Sequence, residues 1–356
     1  MSGIDKGIIK GRGAQYNSVN PYDKQYHVVE HIEGIDEPME TNPVTKFFED
    51  FPKKIINKVE SPDLGLMYSM NPYQGCEHGC IYCYARNSHQ YWGFSAGMDF
   101  ESRIIIKKNA PTLLSQQLSH KNWEPHPIML SGNTDCYQPI ERKLKLTRRM
   151  LEVLLSFRNP VSIITKNSLV LRDIDILREM ASMNLVHVNI SIASLNEEIR
   201  QKLEPRTATY AQRLKVIEHL SKASVPVNVM VAPVIPGLTN YEIPEIIKQA
   251  ADRGALSAAY TIVRLNGSIA EIFTDWLKKA YPDRFSKVLN LIKQCHGGQL
   301  NDSRFGRRIM GEGNIAASIA DIFHAAINKY MNGKQMPAFN LQSFNRETGK
   351  GQLNLF

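Results

Sequence analysis

The 356-residue chain is poor in cysteine and tryptophan, with five and three residues respectively. Cysteine at that density excludes a disulfide-stapled secreted module. No apolar run reaches the length of a membrane span, and the opening Met1-Ser2-Gly3-Ile4-Asp5-Lys6 lacks the apolar core of a secretory signal. The expectation is a cytoplasmic protein with no membrane partner. Charged residues, at 22%, are too few, and hydrophobic ones, at 43%, too many for a disordered chain. Acidic residues are the minority: 43 Lys and Arg against 35 Asp and Glu give a net charge of +8. That excess favours a polyanionic partner, although no recognisable nucleic-acid-binding module is present. The length suits one large α/β domain with extensions.

Three of the five cysteines fall in one short stretch, Asn71-Pro72-Tyr73-Gln74-Gly75-Cys76-Glu77-His78-Gly79-Cys80-Ile81-Tyr82-Cys83-Tyr84. Thiolates spaced as Cys76-x3-Cys80-x2-Cys83 can hold three corners of an iron–sulfur cube and leave the fourth iron open. Electron-transfer clusters are usually held by four protein thiolates; an open corner leaves room for a ligand to react. Gly75 and Gly79 allow the loop to wrap tightly. The competing reading is a zinc site with His78 as fourth ligand. Zinc modules usually pair cysteines as two separated Cys-x2-Cys units, and no second pair exists here.

The hydrophobic pattern from residue 61 onward alternates short β-rich runs with amphipathic stretches. Strands are predicted at Leu66–Met70, Pro127–Leu130, Val161–Thr165, Val186–Ile192, Val227–Val231 and Ala258–Val263. Helices are predicted around Leu146–Phe157, Leu171–Met183, Glu197–Leu203, Tyr210–Ala223 and Tyr241–Arg253. Strands separated by helices at this spacing predict a parallel sheet of βα units, an incomplete (β/α)6 barrel over residues 61–284. An irregular basic extension, residues 1–60, precedes it. A helical extension, residues 285–356, follows, with helices at Phe285–Gln294 and Asn314–Met331 and a flexible tail after Gly333. Lys6-Gly7 and Lys10-Gly11-Arg12-Gly13 read as a basic arm, most simply a solvated tail.

In such barrels the active site forms at the C-terminal ends of the strands. Those ends carry the cysteines, Ser131-Gly132-Asn133-Thr134-Asp135, Thr165-Lys166-Asn167, Asn189 with Ser191, Ala232–Gly237, and Arg264. Cys136, just beyond the second strand, is a candidate hydrogen donor or an inert core residue. Cys295 reads as core.

The cysteine spacing is similar to that of the radical S-adenosylmethionine (SAM) enzymes. The wider pattern over residues 70–240 resembles the spore photoproduct lyase-like, DNA-repair branch of that superfamily. Cys80-Ile81-Tyr82-Cys83-Tyr84 resembles its cluster loop, Thr165-Lys166 and Ser191 its SAM-contacting positions, Glu204-Pro205 with Arg213 the segment after strand four, and Val231-Ala232-Pro233 its strand-five motif. Thr134 to Glu141 resembles the Thr-Asp-x-Tyr-Gln-Pro-x-Glu run of one subgroup. The resemblance implies a [4Fe-4S] cluster on Cys76, Cys80 and Cys83, with SAM chelating the open iron. It further implies one-electron cleavage of SAM to methionine and a 5′-deoxyadenosyl radical, with electrons from a flavodoxin- or ferredoxin-type donor. Lys166, Ser191 and Arg213 are then candidate SAM contacts. Tyr82 and Tyr84 are candidates to pass hydrogen or electrons near the substrate, with aromatic packing as the alternative. Two departures stand out. The Gly-Gly-Glu run that binds the SAM amine in many members is replaced by Ser131-Gly132-Asn133-Thr134. The cysteine that returns hydrogen to the product radical in spore photoproduct lyase is matched by Gly132.

The terminal Gln352-Leu353-Asn354-Leu355-Phe356 resembles the peptide by which bacterial repair proteins dock on the DNA sliding clamp. Basic stretches at Arg142-Lys143-Leu144-Lys145, Arg148-Arg149 and Arg304 with Arg307-Arg308 add to a nucleic-acid reading. The expectation is therefore a monomeric radical SAM enzyme acting on a DNA lesion. The alternatives are action on RNA or a protein side chain, or a zinc-stabilised nucleic-acid-binding protein without catalysis.

Overall fold

The computed structural model describes residues 9–22, 44–63, 65 and 67–346. Lys6-Gly7, Leu66 at the predicted start of the first strand, and the Gln352–Phe356 peptide lie outside them.

The described strands are β1 (Lys46–Glu49), β2 (Asn57–Lys58), β3 (Tyr68–Met70), β4 (Tyr73–Gln74), β5 (Arg103–Ile106), β6 (Ile128–Leu130), β7 (Val161–Thr165), β8 (Val186–Ser191), β9 (Val227–Val234) and β10 (Ser257–Ile262). The main sheet has the order β10-β9-β8-β7-β6-β3-β2. From β3 to β10 its strands are all parallel; β2 adds an antiparallel edge. The sheet is open, since β10 and β2 form its two edges. A second sheet, order β1-β5-β4, was not expected from the sequence. Its β4 and β5 lie between β3 and β6 in the chain, in the connection that also carries the cysteine loop, while β1 comes from the segment before β3.

Alternation along the strands explains both faces of the main sheet. Val161, Ile163, Val186, Val188, Ile190, Val227 and Val229 join one core with Met150, Leu154, Leu177, Leu214, Ile217 and Ile246 of the helices. The opposite face is polar. Asn189 Nδ2 donates to Ser162 Oγ (2.9 Å), Asn228 Nδ2 to Asn189 Oδ1 (3.0 Å), and Ser257 Oγ to Asn228 Oδ1 (2.7 Å). This belt ties four neighbouring strands together across the face that the helices leave free.

Most predicted helices occur within a residue or two of their expected bounds, among them Leu146–Phe157, Glu197–Leu203 and Tyr210–Lys222. The unanticipated ones include Ala110–Ser119 and Ser268–Ala280, beside the shorter Met98–Ser102 and Glu141–Leu144. The segment after Gly333 departs from the flexible tail expected of it. His187 Nε2 lies 2.9 Å from the Pro337 carbonyl and its ring stacks 3.9 Å from that of Phe339. Arg346 Nη2 donates to the Trp123 carbonyl (2.7 Å). Contacts to β8 and to the loop before β6 hold this stretch in place.

Candidate active site at the cysteine loop

The loop between β4 and the 3-10 helix Tyr84–Trp92 carries Cys76, Cys80 and Cys83, all free thiols. Its curvature requires glycine at two points. Gly75 (φ +77°) and Gly79 (φ +69°) occupy the left-handed region. A Cβ on Gly75 would lie 3.0 Å from the Arg103 carbonyl oxygen, and one on Gly79 would lie 2.8 Å from Glu101 Oε2. Burial raises the pKa of all three thiols, so each stays protonated unless a metal takes its proton. Among the described residues no three His, Cys, Asp or Glu side chains converge on a point that one metal ion could occupy.

His78 is held elsewhere. Its Nδ1 lies 3.3 Å from Asp135 Oδ2 and its Nε2 lies 3.1 Å from Asn167 Nδ2. Its Nε2 is thus engaged by Asn167, while its Nδ1 faces the Asp135 carboxylate.

The Thr134–Glu141 run is a bracket between the cysteine loop and β7. Asp135 accepts from Thr165 Oγ1 (2.8 Å) and from the Lys166 backbone N–H (2.8 Å). Burial would raise its carboxyl, but His78 and the backbone N–H groups of Lys166 and Tyr137 hold it at about 2. Gln138 accepts from the Glu77 N–H (3.0 Å) and donates to the Gly75 carbonyl (3.1 Å). Glu141 accepts from the Tyr73 hydroxyl (2.5 Å) and from Arg172 Nη2 (2.7 Å). The motif thus fixes the loop's path and the backbone of Lys166 in one network.

Lys166 follows β7, and its Nζ lies 6.0 Å from the centre of the Tyr82 ring. Its charge favours the ionised forms of Cys80, Cys83 and Glu204, which puts a cation beside the cysteine loop. Ser191 ends β8 and is buried. Arg213 is buried and largely engaged. Nε donates to the Ala208 carbonyl (3.0 Å), Nη1 to the Ser191 carbonyl (2.9 Å), and Nη2 to Glu204 (2.5 Å) and Thr207. Its visible task is to lock Ser191 and Glu204 together. Burial would raise the Glu204 carboxyl, but the Arg213 and Lys166 cations outweigh it and hold it below the usual range.

Tyr82 is buried and donates its hydroxyl to Glu204. Tyr84 is half-exposed and donates its hydroxyl to the Gly132 carbonyl. Cys136 is fully buried in the main core; its backbone N–H donates to Ser131 Oγ (2.7 Å) and its carbonyl accepts from Thr147 Oγ1 (2.6 Å). Asn133, where the family's amine-binding run is missing, donates to Gln74 Oε1 (2.9 Å) and Ser88 Oγ (3.1 Å).

Sequence reasoning missed Arg86 and Glu101, an ion pair of 2.5 Å with both side chains fully buried. Arg86 Nε donates to the Cys80 carbonyl (2.9 Å), and Glu101 touches Gly79. Two opposite charges outside any motif carry no local signal, because only the fold brings them together.

The fit to an iron–sulfur group rests on three free thiols in one glycine-cradled loop with a cation beside them. Residues 70–250 match the model of the radical SAM superfamily, and the chain belongs to that superfamily. It is an enzyme family whose members use SAM and an iron–sulfur cluster. An uncharacterised protein of Mycobacterium tuberculosis is 33% identical over 251 residues, covering 70% of this chain and 74% of that protein. One of Methanocaldococcus jannaschii is 29% identical over 238 residues, covering 67% of this chain and 85% of the other. Among solved structures, spore photoproduct lyase complexed with dinucleoside spore photoproduct superposes with a TM-score of 0.58 at 16% identity, covering 85% of this chain and 86% of that one. A mutant of the same lyase with bound AdoMet and dinucleoside spore photoproduct gives a TM-score of 0.59 at 15% identity, over 87% and 88%. At these identities the likeness is one of fold.

Proposed function

We propose that the protein is a radical SAM enzyme that binds a [4Fe-4S] cluster on Cys76, Cys80 and Cys83 and acts on a lesion in nucleic acid. The observation that carries the reading is the cysteine loop itself, with the Lys166 ammonium next to it and the Tyr84 hydroxyl aimed across it at Gly132. When bound, the cluster with SAM supplies one electron that splits SAM into methionine and a 5′-deoxyadenosyl radical, which takes a hydrogen atom from the substrate. The absence of a second Cys-x2-Cys pair in the sequence favours this reading over zinc.

In this scheme Lys166 pairs as a point charge with the SAM carboxylate. Ser191 adds a hydroxyl at the end of the next strand. Arg213 acts at one remove, by fixing the carbonyl of Ser191 and the carboxylate of Glu204. Tyr84 returns a hydrogen atom to the substrate radical; its O–H bond breaks, a C–H bond forms, and the phenoxyl left behind takes one electron and one proton from an external flavodoxin- or ferredoxin-type donor and solvent. Tyr82 is the alternative donor, tied to Glu204. The net charge of +8 and the fold shared with a lyase crystallised with a dinucleoside photoproduct support a nucleic-acid substrate. The terminal Gln352–Phe356 peptide is proposed as a sliding-clamp ligand; an unchanged pull-down after its deletion removes that part.

The test is anaerobic purification followed by iron, sulfide and SAM-cleavage assays. The reading expects a brown protein that contains both elements and releases 5′-deoxyadenosine on reduction. A colourless, zinc-loaded chain that is inert toward SAM would sink it. With activity established, release of altered nucleosides from irradiated DNA, set against RNA and peptide, decides the substrate.

A further inference from the structure

Arg12 and Gly13, read from the sequence as part of a solvated basic arm, pack against the protein together with the residues that follow them to Asn20. Arg12 and Ala14 are buried. Gly13 and Ala14 point their backbone N–H groups at the two oxygens of the buried Glu101 carboxylate (3.1 and 2.8 Å). Arg12 Nη1 donates to the Glu101 backbone carbonyl (2.9 Å). Glu101 in turn pairs with Arg86, whose Nε holds the Cys80 carbonyl. A chain of direct contacts therefore runs from the N-terminal segment to the middle cysteine.

The approach is also steric. A Cβ on Gly13 would fall 1.9 Å from the Gly79 carbonyl oxygen, so no other residue fits between this segment and the cysteine loop. A Cβ on Gly97 would fall 2.0 Å from the Tyr16 carbonyl oxygen. Ala14 packs in the same apolar cluster as Cys80, Ile81 and Tyr82. Farther along, Asn17 and Asp99 exchange two hydrogen bonds (3.0 and 2.9 Å), and Asn20 Nδ2 donates to the Gln90 carbonyl (3.0 Å). The segment is anchored on both sides of the point where it presses on Gly79.

We propose that residues 12–20 are a positioning brace for the cluster site, in which Gly13, Glu101 and Arg86 together fix the Gly79-Cys80 peptide and so hold Cys80 in place for its iron. The brace rests on the cluster reading above. Outer partners of a metal site typically carry 10–100-fold in metal affinity, and a buried charge pair capped by two backbone N–H groups is a stiff support.

The experiment uses the full chain reconstituted anaerobically with iron and sulfide. In the Gly13→Val variant iron should pass to a chelator about 10–100-fold faster than in wild type. The resonance of the reduced cluster should change, with both readings taken well below the variant's own far-UV melting midpoint. Where that variant does not fold, the Asn17→Ala/Asn20→Ala double variant frees the outer anchor without adding bulk, and is expected to speed chelation in the same direction. Chelation at the wild-type rate with an unaltered resonance, in whichever variant folds, overturns the brace. A wild-type chain that takes up neither iron nor sulfide overturns the cluster reading and the brace with it. A loaded wild type beside an equally stable variant cluster overturns the brace alone.

Discussion

The hydroxyl of Tyr84 donates to the carbonyl of Gly132, linking the residue after the last loop cysteine to the turn that follows β6. In the sequence resemblance to the lyase pattern, Gly132 stands where that pattern has its hydrogen-donating cysteine. Where the side chain of a donor is missing, a phenol arrives from the other side. If Tyr84 is the exchangeable donor, the product nucleoside formed in D2O should carry deuterium in wild type and lose most of it in Tyr84→Phe. Cys136→Ala and Tyr82→Phe should retain it, since Cys136 is enclosed in the core and the Tyr82 hydroxyl is tied to Glu204. Mass spectrometry of the nucleoside reads the result; loss of label in Cys136→Ala instead would transfer the role to that thiol.

Gly132→Cys in the Tyr84→Phe background should restore the label, because a thiol exchanges with solvent and gives up hydrogen readily. The substitution is not free of cost. A Cβ at 132 lies 3.1 Å from Ser69 Cβ, tighter than ordinary contact, and overpacking of this kind typically costs about 1–3 kcal/mol. A lower melting midpoint with restored label is the expected pair of observations.

Lys166→Met should weaken SAM binding by about 10–150-fold, the loss of about 1.5–3 kcal/mol carried by a charged hydrogen bond. Ser191→Ala should cost less, about two- to tenfold, as a neutral hydroxyl carries about 0.5–1.5 kcal/mol. Equilibrium binding of SAM to the anaerobic protein measures both. Equal affinities for Lys166→Met and wild type would mean that the ammonium serves only the electrostatics of the cysteine loop.

Arg213→Met should destabilise by about 3–5 kcal/mol, since it leaves the Glu204 carboxylate buried without its main counter-charge. The double variant with Glu204→Gln should recover part of that loss, because the remaining group is neutral. Urea unfolding of the two variants supplies the comparison; additive losses would show that the pair is not coupled.

The parallel strands were legible because β7, β8 and β9 alternate apolar and polar residues between Gly- or Asn-containing turns. The cysteine spacing marked one short loop, and Cys76, Cys80 and Cys83 lie in it as free thiols. What the sequence hid was whatever depends on distance in the chain. β1, β4 and β5 are two to four residues long and carry no periodicity. Ala110–Ser119 buries only Ala110, Leu114 and Leu118, a thin apolar stripe, and carries Pro111 in its first turn, where proline is at ease. Ser268–Ala280 had its signal in Ile269, Ile272, Phe273, Trp276 and Leu277, all buried on one side. Arg213 was read as a ligand because its place in the motif matched, yet its donors turn inward to Ala208, Ser191, Glu204 and Thr207. Arg12 and Gly13 looked like a tail because their partner, Glu101, lies some ninety residues away.

His89 makes stability depend on pH. Its ring is fully buried, among the described residues neither nitrogen has a hydrogen-bond partner, and Phe94 and Phe100 flank it at 5.2 and 5.6 Å. Burial lowers its pKa to about 4, against the opposing pull of Asp99. The unfolded chain takes the proton near pH 6.5, so the folded state binds fewer protons in the window between. Stability is therefore complete above about pH 6.5 and falls as the pH drops toward 4, by about 2–3 kcal/mol at the lower end. His89→Phe keeps the aromatic packing and removes the titration. Urea unfolding of the metal-free chain at pH 7 and pH 4.5 should show a smaller loss in the variant than in wild type. Identical losses would mean that His89 reaches solvent and is protonated in the folded protein.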